Sequence, residues 1–86
     1  MEAKKLARIT KALANERRIM IIRYIATART APVWRISQKI NLSGKATSKH
    51  LLILEAAKIL TREQEGLEVF YRLHRPLYPV VKACIT

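Results

Sequence analysis

The spacing of apolar residues changes period once, just after Lys58, and that break limits the folds open to this chain. Upstream, apolar residues recur every three or four positions, the period of an amphipathic helix. Downstream lie two short segments about Glu65 and Gly66, the second rich in Val, Phe and Tyr, as in a hairpin. From Lys4 to Ala14 one face carries Leu6, Ile9 and Leu13. Asn15 is an N-cap residue for a second helix, Glu16 to Ala28, although Arg18 stands where a capping box needs an acid or amide. Its core face is Ile19, Ile22, Ile25 and Ala26, widened by Ile21, which predicts a central helix packed on more than one side. Residues 27–31 read as a loop. Pro32 suits the first turn of a short third helix ending near Ile40, with Val33, Ile36 and Ile40 turned inward. Ser43 caps a fourth helix running to about Lys58, with Thr47, Leu51 and Leu54 inside and His50 or the stem of Lys58 beside them. Ile59 to Gln64 and Leu67 to Leu73 form the hairpin, with Gly66 supplying the positive φ of its turn. Pro76 begins a last helix bearing Leu77, Val80, Val81 and Cys84 or Ile85. The order predicts a mainly α fold with a β-hairpin, a winged helix-turn-helix extended by N- and C-terminal helices. Residues 1–86 form one domain.

Composition removes other classes. With 2 glycines and 3 prolines in 86 residues, neither a collagen nor a flexible low-complexity chain fits. The longest apolar runs, Ile19 to Ile22 and Leu51 to Leu54, fall far short of the roughly 20 residues of a membrane span, so no membrane partner is expected. No secretory signal is visible, and one cysteine makes neither an internal disulfide nor a cysteine-only metal cage. The expectation is a cytoplasmic protein without a cofactor. Enzymatic function is the weakest reading: there is no Asp, no carboxylate–histidine pair and no glycine-rich phosphate loop. The positive feature is charge. Lys and Arg number 17 against 6 Glu, a net +11. Residues 1–58 carry +10 of it, the hairpin −1 and residues 74–86 the remaining +2. A polyanion is the expected partner, gripped by helices rather than by the wing tip.

Several stretches resemble the ArsR-type (arsenical-resistance-repressor-like) winged-helix regulators. Lys11-Ala12-Leu13-Ala14-Asn15-Glu16-Arg17-Arg18-Ile19 is similar to the family's "ALADPTRL" entry into helix two. Ile36-Ser37 through Ile40-Asn41-Leu42-Ser43 is similar to its "LA..LGLS" run. Ser48-Lys49-His50-Leu51, with Ile53, Leu54 and Ala57, is similar to "SRHLKVLREAG" in the recognition helix. Gly66 and Val69-Phe70-Tyr71-Arg72-Leu73 are similar to the "GRWVYYRL" end of the wing. The resemblance implies a homodimer that presents two recognition helices to double-stranded DNA, most often as a repressor. It places DNA contacts on Lys45, Ala46, Ser48 and Lys49, with Gln38 and Lys39 positioning. The physical reading agrees, since Lys and Ser reach base acceptors or phosphates, and amides beyond Ser43 can face a phosphate. Metal-sensing members carry ligands where this chain has Pro32 and Trp34, and the last helix has no acid, so no metal is expected. Lys58 replaces the usual helix-ending glycine, which predicts altered geometry or strain. Met20 replaces a frequent Arg.

Other residues carry expectations of their own. Arg35 and Arg62 reach for the DNA backbone. Glu63, Glu65 and Glu68 repel it, so the wing either stays clear or pairs its glutamates with arginines. His50 is a packed or hydrogen-bonded histidine before it is a base reader. Arg18 is partly structural and Arg17 exposed. Trp34 packs against the wing or helix two, the alternative being the wall of a small-molecule pocket. Leu6, Ile9, Leu13, Leu77, Val80, Val81 and Cys84 supply a homodimer seam, because so short a chain has little room to bury them all. The leading function is a sequence-specific DNA-binding transcriptional regulator with an unidentified effector, if any. The alternatives are a non-specific DNA- or RNA-binding architectural protein, and a winged-helix protein-interaction module.

Overall fold

Two helix starts are set by side chains that satisfy otherwise unpaired amides. Asn15 Oδ1 accepts the Arg18 N–H at 3.1 Å, and Ser43 Oγ accepts the Ala46 N–H at 3.1 Å. In the computed structural model, which describes residues 1–86, these caps open α2 (Glu16–Ala28) and α4 (Gly44–Ala56). The remaining elements are α1 (Ala3–Leu13), β1 (Ala31–Pro32), α3 (Val33–Ile40), β2 (Leu60–Glu65), β3 (Glu68–Leu73) and α5 (Pro79–Ile85). This is a mainly helical fold with a small antiparallel sheet, in winged helix-turn-helix topology.

The ends of α3 and α4 use one device. Asn41 and Lys58 adopt left-handed φ values of 55° and 61°. Beyond α4, the Lys58 N–H reaches Glu55 O at 3.0 Å and the Ile59 N–H reaches Leu54 O at 3.0 Å. Beyond α3, the Asn41 and Leu42 amides reach Gln38 O at 3.3 Å and Ser37 O at 3.1 Å. Both are Schellman closures, in which the left-handed residue returns two amides to orphan carbonyls. The family's glycine is therefore absent while its geometry is kept, and the cost to Lys58 of a Cβ there is about 1–2 kcal/mol.

Helix α2 is central as expected, touching α1, α3, α4, α5 and β3. Ile21, Ile22 and Ile25 are fully buried, whereas Ile19 is half-buried and lies at the edge of that face. Ile9, Ile36, Ile40, Leu51, Leu54, Ile59, Leu60 and Val81 complete the densest part of the core.

Several boundaries differ from the sequence reading. Pro32 is not the first helical residue: φ −78° and ψ 160° put it in extended backbone, preceding α3 and pairing with Phe70. Ala31 pairs with Tyr71, so the expected loop ends in a strand and the sheet has three strands in the order β1-β3-β2. The residue before a proline is biased away from helix, and an edge strand tolerates the missing N–H. Likewise α5 starts at Pro79, not Pro76. A helix begun at Pro76 would force Pro79 to donate a bond it lacks, and would force Tyr78 into a helical conformation that the following proline disfavours. At the first helical position the missing N–H costs nothing. The hairpin is present with Gly66 at φ 63°, but its turn is Gly66-Leu67 rather than Glu65-Gly66: Leu60 pairs with Leu73 and Glu65 with Glu68, so Glu65 ends β2 and Leu67 stands in the turn instead of opening β3. No helix is long and apolar enough to cross a membrane.

Candidate nucleic-acid interface

Helix α4 runs its charges against its own dipole. Its first turn holds no acid and its last turn no base; Lys45 and Lys49 lie in the N-terminal half and Glu55 near the C-terminus. Amides at a helix start already present about half a positive charge, so this order is unfavourable by itself and favourable opposite an anion. Helical spacing sets Lys45, Ser48 and Lys49 on one outward stripe; both lysines are exposed and Ser48 and Ala46 half-buried, while Thr47, Leu51 and Leu54 are sealed inside. Ser43 itself is exposed, with its hydroxyl oxygen accepting the capping bond.

Two arginines at the start of α2 brace the region, Arg17 at the end of α3 and Arg18 on α4 itself. Arg17 Nη1 donates to Ile40 O and, at 3.2 Å, to Asn41 O, across the turn between α3 and α4. Arg18 Nε donates to Ala12 O at 2.6 Å, and its Nη1 lies 3.2 Å from His50 Nδ1 on α4. Cations at the start of α2 oppose its dipole, yet each reaches the carbonyl end of another helix, where positive charge is favoured. Arg17 is thus half-buried and structural rather than exposed as expected. Arg18 is structural, and His50 is its hydrogen-bonded partner. Burial, then the Arg18 and Arg17 charges, hold the His50 imidazole below its ordinary pKa. Guanidinium only donates, so Nδ1 is the acceptor and the ring proton sits on Nε2.

The structure sets out the other residues singled out by sequence as follows. Gln38 and Lys39 are exposed on α3, with Lys39 Nζ 5.6 Å from the centre of the Tyr24 ring on α2. Arg35 Cζ lies 5.1 Å from the centre of the Trp34 ring. Trp34, half exposed, donates from Nε1 to Glu68 Oε1 at 3.1 Å and so packs toward the wing. Trp34, Ser37, Gly44, Ser48 and Glu68 border an open cleft of about 460 Å³ between α3, the start of α4 and β3. Arg62 is exposed on β2 opposite Tyr71, on the sheet face turned toward the helices. Of the wing glutamates, Glu63 pairs with Arg72 at 2.5 Å, the only ion pair in the structure.

Among the residues expected at a dimer seam, Ile9, Leu13 and Val81 are consumed by the core of a single chain. Leu6 is 42% exposed and Leu77, Val80 and Cys84 are half-buried, so these retain surface to give. Cys84 Sγ donates to Val80 O at 3.6 Å. His74 Nδ1 lies 3.0 Å from Thr61 Oγ1, and no three His, Cys, Asp or Glu side chains converge as metal ligands.

No protein-family model matches the sequence. Solved structures do. HlyU from Vibrio cholerae is 33% identical, with a TM-score of 0.79 over 96% of this chain and 88% of HlyU. The chain belongs to the winged helix-turn-helix regulators related to HlyU, PagR and the ArsR family. Within that family, the transcriptional repressor PagR of Bacillus anthracis is 29% identical over 70 residues, spanning 81% of this chain and 70% of PagR. The PagR crystal structure superposes with a TM-score of 0.80 over 93% of this chain and 92% of its own. A homodimeric winged helix-turn-helix DNA-binding domain from Mycobacterium bovis, a possible ArsR-family regulator, gives a TM-score of 0.83 at 26% identity. It matches over 94% of this chain and 72% of that domain.

Sequence reading missed two parts of this region. The role of Arg17 depends on carbonyls 23 and 24 residues away, which no local pattern reports. The outward stripe of α4 also continues into Leu52 and Ile53, 57% and 44% exposed. That continuation is legible in the spacing of 48 to 52 and 49 to 53.

Proposed function

We propose that this protein is a homodimeric transcriptional repressor that reads a palindromic duplex with α4. The observation that carries the reading is the outward stripe of α4, basic at the helix end that is already electropositive and anchored through Arg17, Arg18 and His50. Lys45, Ser48 and Lys49 make the base and phosphate contacts, with Ala46 admitting close approach. The amides beyond Ser43 face a phosphate, and Gln38, Lys39, Arg35 and Arg62 hold the flanking backbone. Leu6, Leu77, Val80 and Cys84 form the exposed part of the seam between subunits. A two-fold axis there sets the recognition helices about 34 Å apart, one turn of duplex. Repression by occupancy of a promoter is supported by the likeness to PagR, a transcriptional repressor, and the dimer by the homodimeric mycobacterial domain.

Selection of bound sequences from a random duplex pool tests this reading. The expected product is an inverted repeat with half-sites one turn apart, bound at least about 1,000-fold more tightly than random duplex. Equal affinity for every duplex refutes it.

A further inference from the structure

The tip of the hairpin is built against its own stability. Register sets Glu65 directly across from Glu68, and like charges in that position destabilise a hairpin. Glu68 is tied to Trp34 and Glu63 to Arg72, while Glu65 forms no ion pair. Between the two carboxylates Leu67 stands in the turn with 102% exposure, touching nothing of its own chain. An apolar tip flanked by carboxylates is unsuited to a phosphate backbone. It suits an apolar recess with a cationic rim.

Such a recess lies between α1 and α4. Ala12, Ile53 and Ala56 line a groove of about 330 Å³, edged by Arg8 and Lys11 on α1. Ile53 and its neighbour Leu52 are among the few large apolar side chains left exposed. Both surfaces are open in a single chain, and they match each other in polarity and charge: an apolar tip with carboxylates, an apolar groove with a cationic edge. The wing tip is the one acidic projection on a chain of net charge +11.

We propose that the wing tip of one molecule docks in the α1–α4 groove of a second copy. Leu67 seats against Ile53 and Ala56, and Glu65 faces Arg8 and Lys11. The contact joins two different surfaces, so where its rotation does not close a ring it continues from molecule to molecule. Its functional consequence rests on the DNA-binding reading above: neighbouring dimers on one duplex bind cooperatively, linked by the wings.

The test compares the full chain with Leu67→Ser, Glu65→Arg, Arg8→Glu and the charge-swapped double variant Glu65→Arg/Arg8→Glu. Binding is measured to duplexes of about 20 bp, room for one dimer, and about 60 bp, room for several. The readout is the ratio of affinity per site on the long duplex to that on the short one. In the single variants this ratio falls by about tenfold, the scale expected for losing one buried leucine or its ionic rim, and the double swap restores it. A ratio unchanged in Leu67→Ser, or unrestored by the swap, overturns the proposal. Sedimentation velocity without DNA decides separately: at low salt the unaltered chain forms concentration-dependent species beyond its basic assembly, and Leu67→Ser does not. Identical profiles overturn the contact even where DNA binding stands. Failure of every form to bind the short duplex refutes the DNA reading and leaves the sedimentation result to decide the contact.

Discussion

Replacing Lys45 by Glu should make the free protein more stable and the DNA-binding protein useless. Lys45 is the second residue of α4, in a first turn without acids. A charge of favourable sign at a helix end contributes about 0.3–1 kcal/mol, and one of unfavourable sign costs a similar amount. Removing the lysine and adding a carboxylate together therefore stabilise by about 0.6–2 kcal/mol. For a domain this size that raises the melting temperature by roughly 3–12 °C. The same substitution loses a phosphate contact and sets a carboxylate against the backbone, so duplex affinity falls more than about tenfold. Thermal unfolding by circular dichroism reads the first effect, and duplex titration the second. The substitution also lowers the net charge, which relieves self-repulsion wherever it is made. Lys82→Glu is the control, because it changes net charge equally but sits in the last turn of α5, where a carboxylate is unfavourable. If both variants raise the melting temperature alike, net charge and not the helix end is responsible, and the reasoning fails.

Four further outcomes follow from the same geometry. Lys58→Gly should stabilise by about 0.5–1 kcal/mol, as relief of the left-handed Cβ outweighs the entropy glycine adds to the unfolded chain. Lys58→Ala keeps the Cβ and should not, so equal urea midpoints for the two remove strain as the cause. Thr47 is fully buried and its hydroxyl is the one buried side-chain oxygen without a partner. Thr47→Val should therefore stabilise by about 1 kcal/mol in urea unfolding, and a loss of stability shows the hydroxyl to be satisfied. His50 titrates below its ordinary value in the folded state, so the unfolded chain takes up that proton first and stability falls as pH drops below about 6.5. His50→Gln should flatten this part of the pH–stability curve, and an unchanged slope assigns it to other groups. Lys45→Ala and Lys49→Ala should each make the log-affinity against log-salt plot shallower by about 1, and an unaltered slope removes that lysine from the phosphate contacts.

What the sequence makes legible is what depends on near neighbours. Asn15 and Ser43 act on amides three residues away, so their caps can be read directly, and the apolar stripe of α2 announces a central helix. Boundaries blur where two local signals compete. Pro76 and Pro79 both offer a helix start, and only the bond that Pro79 cannot donate decides between them. Strand β1 is two residues long, too short for any alternation, and exists because β3 lies beside it. The stripe of α4 could be named from spacing and motif. Its anchoring could not, because Arg17, Arg18 and His50 meet through separations of 6 to 32 residues.

The helix ends around the turn show why the charge is placed as it is. Arg17 and Arg18 occupy the electropositive start of α2, a costly position in isolation, but they reach the electronegative ends of α3 and α1. Those three helix termini thus neutralise one another inside the domain. The start of α4 has no such counterpart. Its amides are capped only by the hydroxyl of Ser43, its first residues are exposed, and the nearest charges on its own surface are the cations Lys45 and Lys49. Lys11, Lys39 and Lys82 do lie in the last turns of α1, α3 and α5, but Lys45 stands in the acid-free first turn of α4, a position that an anion placed against that helix start, such as a duplex phosphate, would turn from unfavourable to favourable.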